Sequence, residues 1–392
     1  MTSPELRLKP NEDRRLRAGH LWIYSNEVDT TRTPLVGLTP GTLCRVVDAR
    51  NKPLGLATVN PHTLLTGRLL TSKADGTLDA AWFARRIASA LALRERLYDK
   101  PFYRLVYGES DGLPGLVIDR YGAVCVVQIA TAGMEQLKAQ MLDGLREAMK
   151  PAGVLLRNDV GMRETEGLPS YVEEIGQVPD TVEIEEGGVR FEIPVKTGQK
   201  TGWFFDQHAN RDRLVPYVKD KAVLDMFSYL GGWALRALGA GAASAVAVDS
   251  SASALEGAQR NAALNGMTLE TFHGKAIDVL RELRTQGRRF DVVVVDPPAL
   301  IKRKKDLDAG AAHYGALNRT AIELLSPEGI LVSCSCSHHL DADSLQRILL
   351  RESRTAGRRL QLLEQGAQGP DHPVHPAIPE TRYLKAFFCR VV

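Results

Sequence analysis

The sequence predicts an α/β chain whose carboxyl-terminal half is a doubly wound parallel sheet, preceded by a small β-rich module and a small central α+β domain. Three observations carry this. Beyond residue 220, short and strongly apolar strands alternate with helical patterns, as in a parallel sheet covered on both faces. The first 70 or so residues hold only short apolar runs broken by Gly, Pro and Asn. Between these regions helical and strand patterns mix and close on an alternating hairpin. The divisions expected are 1–72, 73–195 and 196–392, which suits a chain of 392 residues read as two or three domains.

In the first module the apolar runs at 21–24, 42–47, 53–59 and 67–70 read as strands. Its opening places Lys9, Arg14, Arg15, Arg17 and His20 within a dozen residues and follows them with Trp22 and Tyr24. Basic and aromatic side chains together suit RNA backbone and base stacking, although a solvated helix leading into a core strand accounts for the same pattern. From 78 to 98, Trp82, Phe83, Ile87, Leu91 and Leu97 recur at roughly helical spacing with arginines between them. Runs at 116–119, 124–129 and 154–157 read as strands, with a helix over 134–149. The alternation from 182 to 193 on both sides of Gly187 and Gly188 reads as a hairpin. In the last region strands are expected at 223–225, 245–249, 291–296 and 329–333, and helices at 231–238, 253–264, 311–325 and 342–356. Two late strands, 360–364 and 383–390, complete it.

Composition removes several classes. Lys plus Arg total 50 against 47 Asp plus Glu, and the net charge of +3 does not by itself indicate nucleic acid. With 44% hydrophobic and 25% charged residues, 34 Gly and 20 Pro, the chain is not disordered, collagen-like or coiled-coil. No run of about 18 apolar residues exists and the amino terminus lacks a signal-peptide core, so the cytoplasm is expected. Five cysteines are an odd and sparse set, which argues against a disulfide framework.

Candidate chemistry begins where the strand ending at Asp225 runs through Phe227 and Ser228 to Gly231, Gly232 and a helix. Two glycines let a ligand approach the backbone, and such turns sit at the ligand site of doubly wound sheets. The spacing is not G-x-G-x-x-G, which argues against a dinucleotide. Asp249 lies 24 residues after Asp225 at the end of the next strand, where a carboxylate accepts from two ribose hydroxyls. Adenosine without phosphate points to S-adenosylmethionine. Taken singly, Asp225 also suits a turn cap and Asp249 a helix N-cap.

The following strand ends in Asp296, Pro297 and Pro298, an acid with a fixed backbone in position for a substrate contact. This is similar to the fourth motif of methyltransferases acting on flat amines or bases, but Ala299 stands where amino-directed enzymes carry an aromatic. The basic run Lys302, Arg303, Lys304 and Lys305 follows, and it suits a phosphate backbone as well as a solvated loop. A late strand then delivers Cys334, Cys336, His338 and His339. Zinc spacing separates cysteines by two to four residues and needs a second ligand pair, so no metal is expected. A nucleophile fits better, because carbon 5 of a pyrimidine accepts a methyl group only after a thiolate has added to carbon 6. Cys336 at the strand end would lie across from Asp296, which hydrogen-bonds the base edge and stabilises its developing charge. Cys334 points to the same face but deeper, and with Cys44, Cys125 and Cys389 it reads as packing.

Read with the segment from Lys196 to Arg211, these residues identify a family. The chain resembles the RlmI-like 23S ribosomal RNA cytosine-5 methyltransferases over essentially its whole length, through GHLWIYSNEV, YGESDGLPGLVIDRYG, DMFSYLGGW, DPP, SCS and PETRYLKAF. The resemblance implies a PUA-type RNA-binding domain, a small central α+β domain and a Rossmann-like class I methyltransferase domain. It implies Cys336 as the nucleophile of the sixth motif. It also places Gln199, Thr201, Gly202, Phe204, Asp206 and Gln207 in a segment covering the cofactor, and Phe227, Ser228 and Gly231 in the cofactor loop. Relatives usually carry Asp where this chain has Lys275, which cannot accept a hydrogen bond from the adenine amine. Asp278 from a shifted register, a backbone carbonyl, or lower cofactor affinity are the alternatives. The cofactor contacts expected therefore include Asp225, Asp249, Asp278 and Asp296, and the RNA contacts are Lys9, Arg14, Arg17, His20, Trp22, Lys302, Arg303 and Lys304. The implied activity is S-adenosylmethionine-dependent methylation of carbon 5 of a cytidine in 23S ribosomal RNA. The partner is that RNA or a large-subunit intermediate, with no membrane and a homodimer allowed. The rivals are methylation of another rRNA base atom, such as a guanine amine or ring nitrogen, and a non-catalytic RNA-binding assembly factor.

Overall fold

The punctuated apolar runs near the amino terminus form a five-stranded sheet. In the computed structural model, which describes residues 4–392, it comprises β1 (Glu5–Arg7), β2 (Trp22–Tyr24), β3 (Thr42–Val47), β4 (Pro53–Val59) and β5 (Leu65–Thr71), in the order β1-β3-β4-β5-β2. A single helical turn, α1 (Arg14–Arg17), separates β1 from β2. Leu6, Leu8, Ile23, Val28, Cys44, Val46, Ala57 and Val59 fill its core. β1 pairs parallel to β3 and escaped the sequence reading, because three residues with one buried side chain show no period.

A second five-stranded sheet has the order β10-β9-β8-β7-β6. Its strands are β6 (Phe102–Tyr107), β7 (Leu116–Tyr121), β8 (Val124–Ile129), β9 (Gly153–Asn158) and β10 (Tyr171–Gly176). The amphipathic segment near residue 80 forms α2 (Ala80–Leu97), started by Asp79, whose side chain accepts from the Trp82 amide. The helix expected over 134–149 is divided at Leu137 into α3 (Ala132–Gln136) and α4 (Lys138–Met149). α2 and α4 approach closely at Gly144, where a methyl group would sit 2.5 Å from Phe83 Cβ. A short helix, α5 (Met162–Thr165), precedes β10. Both sheets belong to one compact unit made of the described residues up to 182 together with 194–205 and 371–381.

The hairpin is where the alternation places it, as β11 (Val182–Glu186) and β12 (Val189–Ile193), with Gly187 at φ +53 and Gly188 at φ +79 as a two-residue turn requires. Its packing differs from the sequence reading, which closes the central region with it. Residues 183–193 pack in the second compact unit, with 206–370 and 382–392. The Glu192 amide donates to Asn261 at 2.7 Å, and Arg211 clasps Glu186 at 2.5 and 2.7 Å. A sequence period reports which face of a hairpin is apolar, not which neighbour covers it.

The second unit carries a seven-stranded sheet in the order β15-β14-β13-β16-β17-β19-β18. After α6 (His208–Leu214) come β13 (Ala222–Met226), α7 (Gly232–Gly239), β14 (Ser244–Asp249), α8 (Ala252–Leu264), β15 (Glu270–His273), α9 (Ala276–Thr285) and β16 (Phe290–Val295). Then follow α10 (Leu307–Leu324), β17 (Leu325–Ser335), α11 (Ala342–Thr355), β18 (Leu360–Gly366) and β19 (Lys385–Val391). Strands β13 to β17 are parallel and β19 is antiparallel to both neighbours. The predicted doubly wound class is therefore correct. β15 and α9 were not foreseen, since β15 buries no residue and α9 only Val279, Leu280 and Leu283. The chain winds one way from β13 to β14 and the other way to β16, so the carboxyl ends of these three strands form a topological switch point. Among the described residues no helix is long and apolar enough to cross a membrane.

Candidate active site

At the switch point β13 leads into a loop with Phe227 at φ +64, Tyr229 at φ +50 and Gly231 at φ +81. Non-glycine residues in this region persist only where their surroundings hold them. Here the Ser228 amide donates to the Val248 carbonyl at 3.0 Å and the Tyr229 amide to Asp249 Oδ2 at 2.9 Å. Asp225, fully buried, caps α7 through Oδ2 and the Ala234 amide at 3.0 Å. Among the described residues its Oδ1 and the buried Ser228 Oγ have no partner. Burial, with the charges of Asp296 and Asp249 adding, pushes the Asp225 carboxyl well above the usual range. Two orphaned polar atoms beside a strained loop fit the polar end of a ligand.

Asp249 ends β14 with each oxygen accepting one backbone amide, from Tyr229 and from Ser251, both at 2.9 Å. Each oxygen retains a lone pair for a hydroxyl. Beside it lies a cavity of about 270 Å³ lined by Phe227, Val248, Asp249, Lys275, Ala276 and Ile277 among others. Apolar walls with one carboxylate at the edge suit a flat heterocycle on a ribose, so the residues fit S-adenosylmethionine. Asp278 does not line this cavity: it is exposed on α9, 3.9 Å from Arg281. The shifted-register alternative for the adenine contact is thereby removed, because the helix turns its first-turn acid to solvent.

β16 delivers Asp296 to the same edge. Its Oδ1 accepts from Gln207 Nε2 at 2.8 Å and its Oδ2 from Trp233 Nε1 at 3.0 Å. Burial pushes the carboxyl up to about 6, with neighbouring Asp206 adding and the Trp233 and Gln207 bonds opposing. β17 ends at Ser335, and the next residue, Cys336, has its Sγ 3.9 Å from the Pro297 carbonyl oxygen. Cys336 and the Asp296–Pro298 segment are thus brought together. All five cysteines are thiols, and Cys336 is the one that is partly exposed. Cys334 is fully buried and pushed far up by desolvation, while burial raises Cys44 to about 11 and Cys125 and Cys389 to about 12.

The segment expected to cover the cofactor is divided. Gln199, Thr201, Gly202 and Phe204 belong to the first compact unit, and Asp206 and Gln207 to the second. Asp206 Oδ2 accepts from Tyr383 Oη at 2.5 Å, and Gln207 holds Asp296. Of the amino-terminal basic residues, Arg17 is committed to Asp13 and Asp48, and Trp22 Nε1 donates to Glu109 at 3.0 Å. Lys9 reaches the Asn26 carbonyl, Arg14 the Asn11 side chain, and the His20 ring stands edge-on to Trp22. Arg303 pairs with Asp306, whereas Lys302, Lys304 and Lys305 are exposed. The sequence reading missed Trp233, Tyr383 and Lys385. Each stands in a segment that carried the resemblance, but nothing in the spacing marks its individual role.

Two family models match the chain: a PUA-like domain over residues 6–72, and an S-adenosylmethionine-dependent methyltransferase over residues 169–390. Ribosomal RNA large subunit methyltransferase I from Cronobacter sakazakii is 36% identical over 398 residues, covering 100% of both chains. The chain belongs to the ribosomal RNA large subunit methyltransferase I family. The Vibrio cholerae member is likewise 36% identical over 401 residues, with 100% of both chains covered. A solved chain described as a SAM-dependent methyltransferase from Streptococcus mutans superposes with a TM-score of 0.82 at 19% identity, covering 99% of this chain and 100% of that one. That likeness speaks to the fold, and it extends over the whole family architecture. S-adenosylmethionine is the cofactor of this family's methyltransferase domain.

Proposed function

We propose that the chain methylates carbon 5 of a cytidine in 23S ribosomal RNA, or in a large-subunit intermediate, through a covalent bond from Cys336. The observation carrying this reading is the juxtaposition of the one partly exposed thiol with the Asp296–Pro297 strand end. Asp225, Phe227, Ser228, Gly231 and Asp249 would hold the cofactor, with Asp206 and Gln207 of the same unit beside them. Bound S-adenosylmethionine supplies an electrophilic methyl group. The Cys336 thiolate adds to carbon 6 of the base, and the ring electrons move to carbon 5. Asp296, with a carboxyl titrating near neutrality, hydrogen-bonds the base edge where charge develops. Once carbon 5 carries the methyl group, its proton passes to water, the electrons of that carbon–hydrogen bond re-form the carbon 5–carbon 6 double bond, and the carbon–sulfur bond breaks, returning the Cys336 thiolate.

Of the division 1–72, 73–195 and 196–392, the first part enters the same proposal, whereas the boundary at 195 gives way to the packing of 183–193 in the second compact unit and of 194–205 and 371–381 in the first. The first part, with Lys9, Arg14, Arg17, His20 and Trp22, holds RNA, and Lys302, Arg303 and Lys304 hold phosphates near the unstacked target base. A ribosomal substrate places the reaction in the cytoplasm. Replacing Cys336 by Ala is expected to abolish transfer while leaving S-adenosylmethionine affinity intact by calorimetry. RNA carrying 5-fluorocytidine should form an adduct with the native chain that maps to Cys336. Methylation by Cys336→Ala at the native rate would sink the mechanism.

A further inference from the structure

β19 runs antiparallel to β17 with Lys385 directly opposite Ser335, so the two side chains leave the sheet on one face. The Lys385 side chain is buried, and its Nζ donates to the carbonyl oxygens of Ser337 at 2.7 Å and Tyr383 at 2.8 Å. Ser337 immediately follows Cys336, which sets the ammonium one residue from the thiol. An ammonium has three donors, and two are used here by neutral carbonyls. Among the described residues no carboxylate lies within ion-pair distance of Nζ, although lysines are rarely buried unless paired. The charged and titratable groups that act on it are Cys336 and Asp341, the latter at the start of α11. Tyr314 of α10 is hydrogen-bonded to the Ser335 and Ser337 hydroxyls at 3.0 Å. Desolvation pulls the Lys385 amine down to about 8, and of its neighbours Cys336 acts most strongly in the opposite direction.

We infer that Lys385 is a positioning residue that holds Cys336 as a thiolate. Its ammonium favours loss of the thiol proton to solvent, and its two carbonyl bonds fix the strand end on which Cys336 rides. This inference rests on reading Cys336 as the nucleophile. It explains why a buried lysine stands where an apolar residue would pack: the anion it compensates is the sulfur, not a carboxylate.

The pH dependence of Cys336 alkylation by iodoacetamide, followed by mass spectrometry of its peptide, tests the coupling. Lys385→Met is expected to slow alkylation about tenfold at neutral pH and to move the midpoint about one unit upward, a unit of pKa being a factor of ten in protonation equilibrium. Lys385→Arg keeps the charge and should keep the native profile. Thermal melts and S-adenosylmethionine titration report that both variants are folded. An unchanged midpoint in folded Lys385→Met overturns the inference. A second measurement needs no Lys385 variant: the thiolate absorbance of the native chain, less that of Cys336→Ala, should titrate below the ordinary cysteine value of about 8.5, and titration at or above it overturns the inference. Alkylation reads the thiol and not the transfer. A missing 5-fluorocytidine adduct beside normal coupling therefore overturns the nucleophile reading, whereas a normal adduct with an uncoupled thiol overturns the role of Lys385.

Discussion

At Asp296, burial and hydrogen bonding pull in opposite directions. Two donors, Gln207 Nε2 and Trp233 Nε1, favour the carboxylate, yet desolvation wins and the carboxyl titrates near 6. The consequence for stability has a definite sign. Between about 4 and 6 the unfolded chain has lost this proton while the folded chain still holds it, so stability contributed by the group declines as pH rises through that window. The two-unit displacement corresponds to at most about 3 kcal/mol. Asp296→Asn removes the titration but sets an amide nitrogen against one of the two donors, a cost that does not vary with pH. Melting temperatures of native and Asp296→Asn protein should therefore diverge in the variant's favour as pH rises from 4 to 7, while methyl transfer is lost throughout. A constant difference across that range would show that the carboxyl is not displaced. The same residue thus carries a stability cost at the place where the proposed chemistry needs a proton near neutrality.

The segment 371–381 shows the same logic in a whole element. Asp371 accepts from the Arg104 amide at 2.9 Å and from His372 Nδ1 at 2.8 Å, and its carbonyl accepts from the buried Arg94 at 2.8 Å. Burial alone would raise its carboxyl, but His372 and Arg104 hold it below the usual carboxylate range. A depressed carboxyl contributes stability that is complete above its unfolded pKa and lost as pH falls through the folded one. Asp371→Ala is expected to cost about 3 kcal/mol at neutral pH, with the gap to the native chain narrowing in acid, as denaturant melts at both pH values will show. None of this was legible in the sequence, where Asp371 lies in a proline-rich stretch without period. The fold was legible where the pattern is locally complete: β3, β4, β8, α2 and the hairpin stand within two residues of their expected bounds. It was not legible where tertiary contact replaces pattern, as in the half-exposed β15 and the hairpin's choice of neighbour. The site divides along the same line. Asp225, Asp249, Asp296 and Cys336 announce themselves because strand ends concentrate chemistry at a switch point, whereas Lys385 and Trp233 act only through contacts that topology creates.

Over the whole molecule, the net charge of +3 conceals an uneven distribution of committed and uncommitted cations. Arg15 pairs with Glu27, Arg17 with Asp13 and Asp48, and Arg303 with Asp306. Lys302, Lys304 and Lys305 are exposed, and among the described residues no carboxylate stands within ion-pair distance of them. Cations already paired release few counterions when RNA arrives, so the lysines should supply most of the salt dependence of this basic run. The combined Lys302→Gln, Lys304→Gln, Lys305→Gln variant is expected to weaken binding to a ribosomal RNA fragment. It should also flatten the plot of log affinity against log salt by about 2, since each lost single-strand phosphate contact removes about 0.7. Arg17→Gln breaks two internal ion pairs instead and should change the slope by less than one such contact. Filter binding over a range of salt concentrations, with S-adenosylmethionine titration as the control for folding, separates the two cases. An unchanged slope in the triple variant would assign the run to a solvated loop, and RNA affinity would then have to reside in the amino-terminal module, where stacking on Trp22 and His20 is less sensitive to salt.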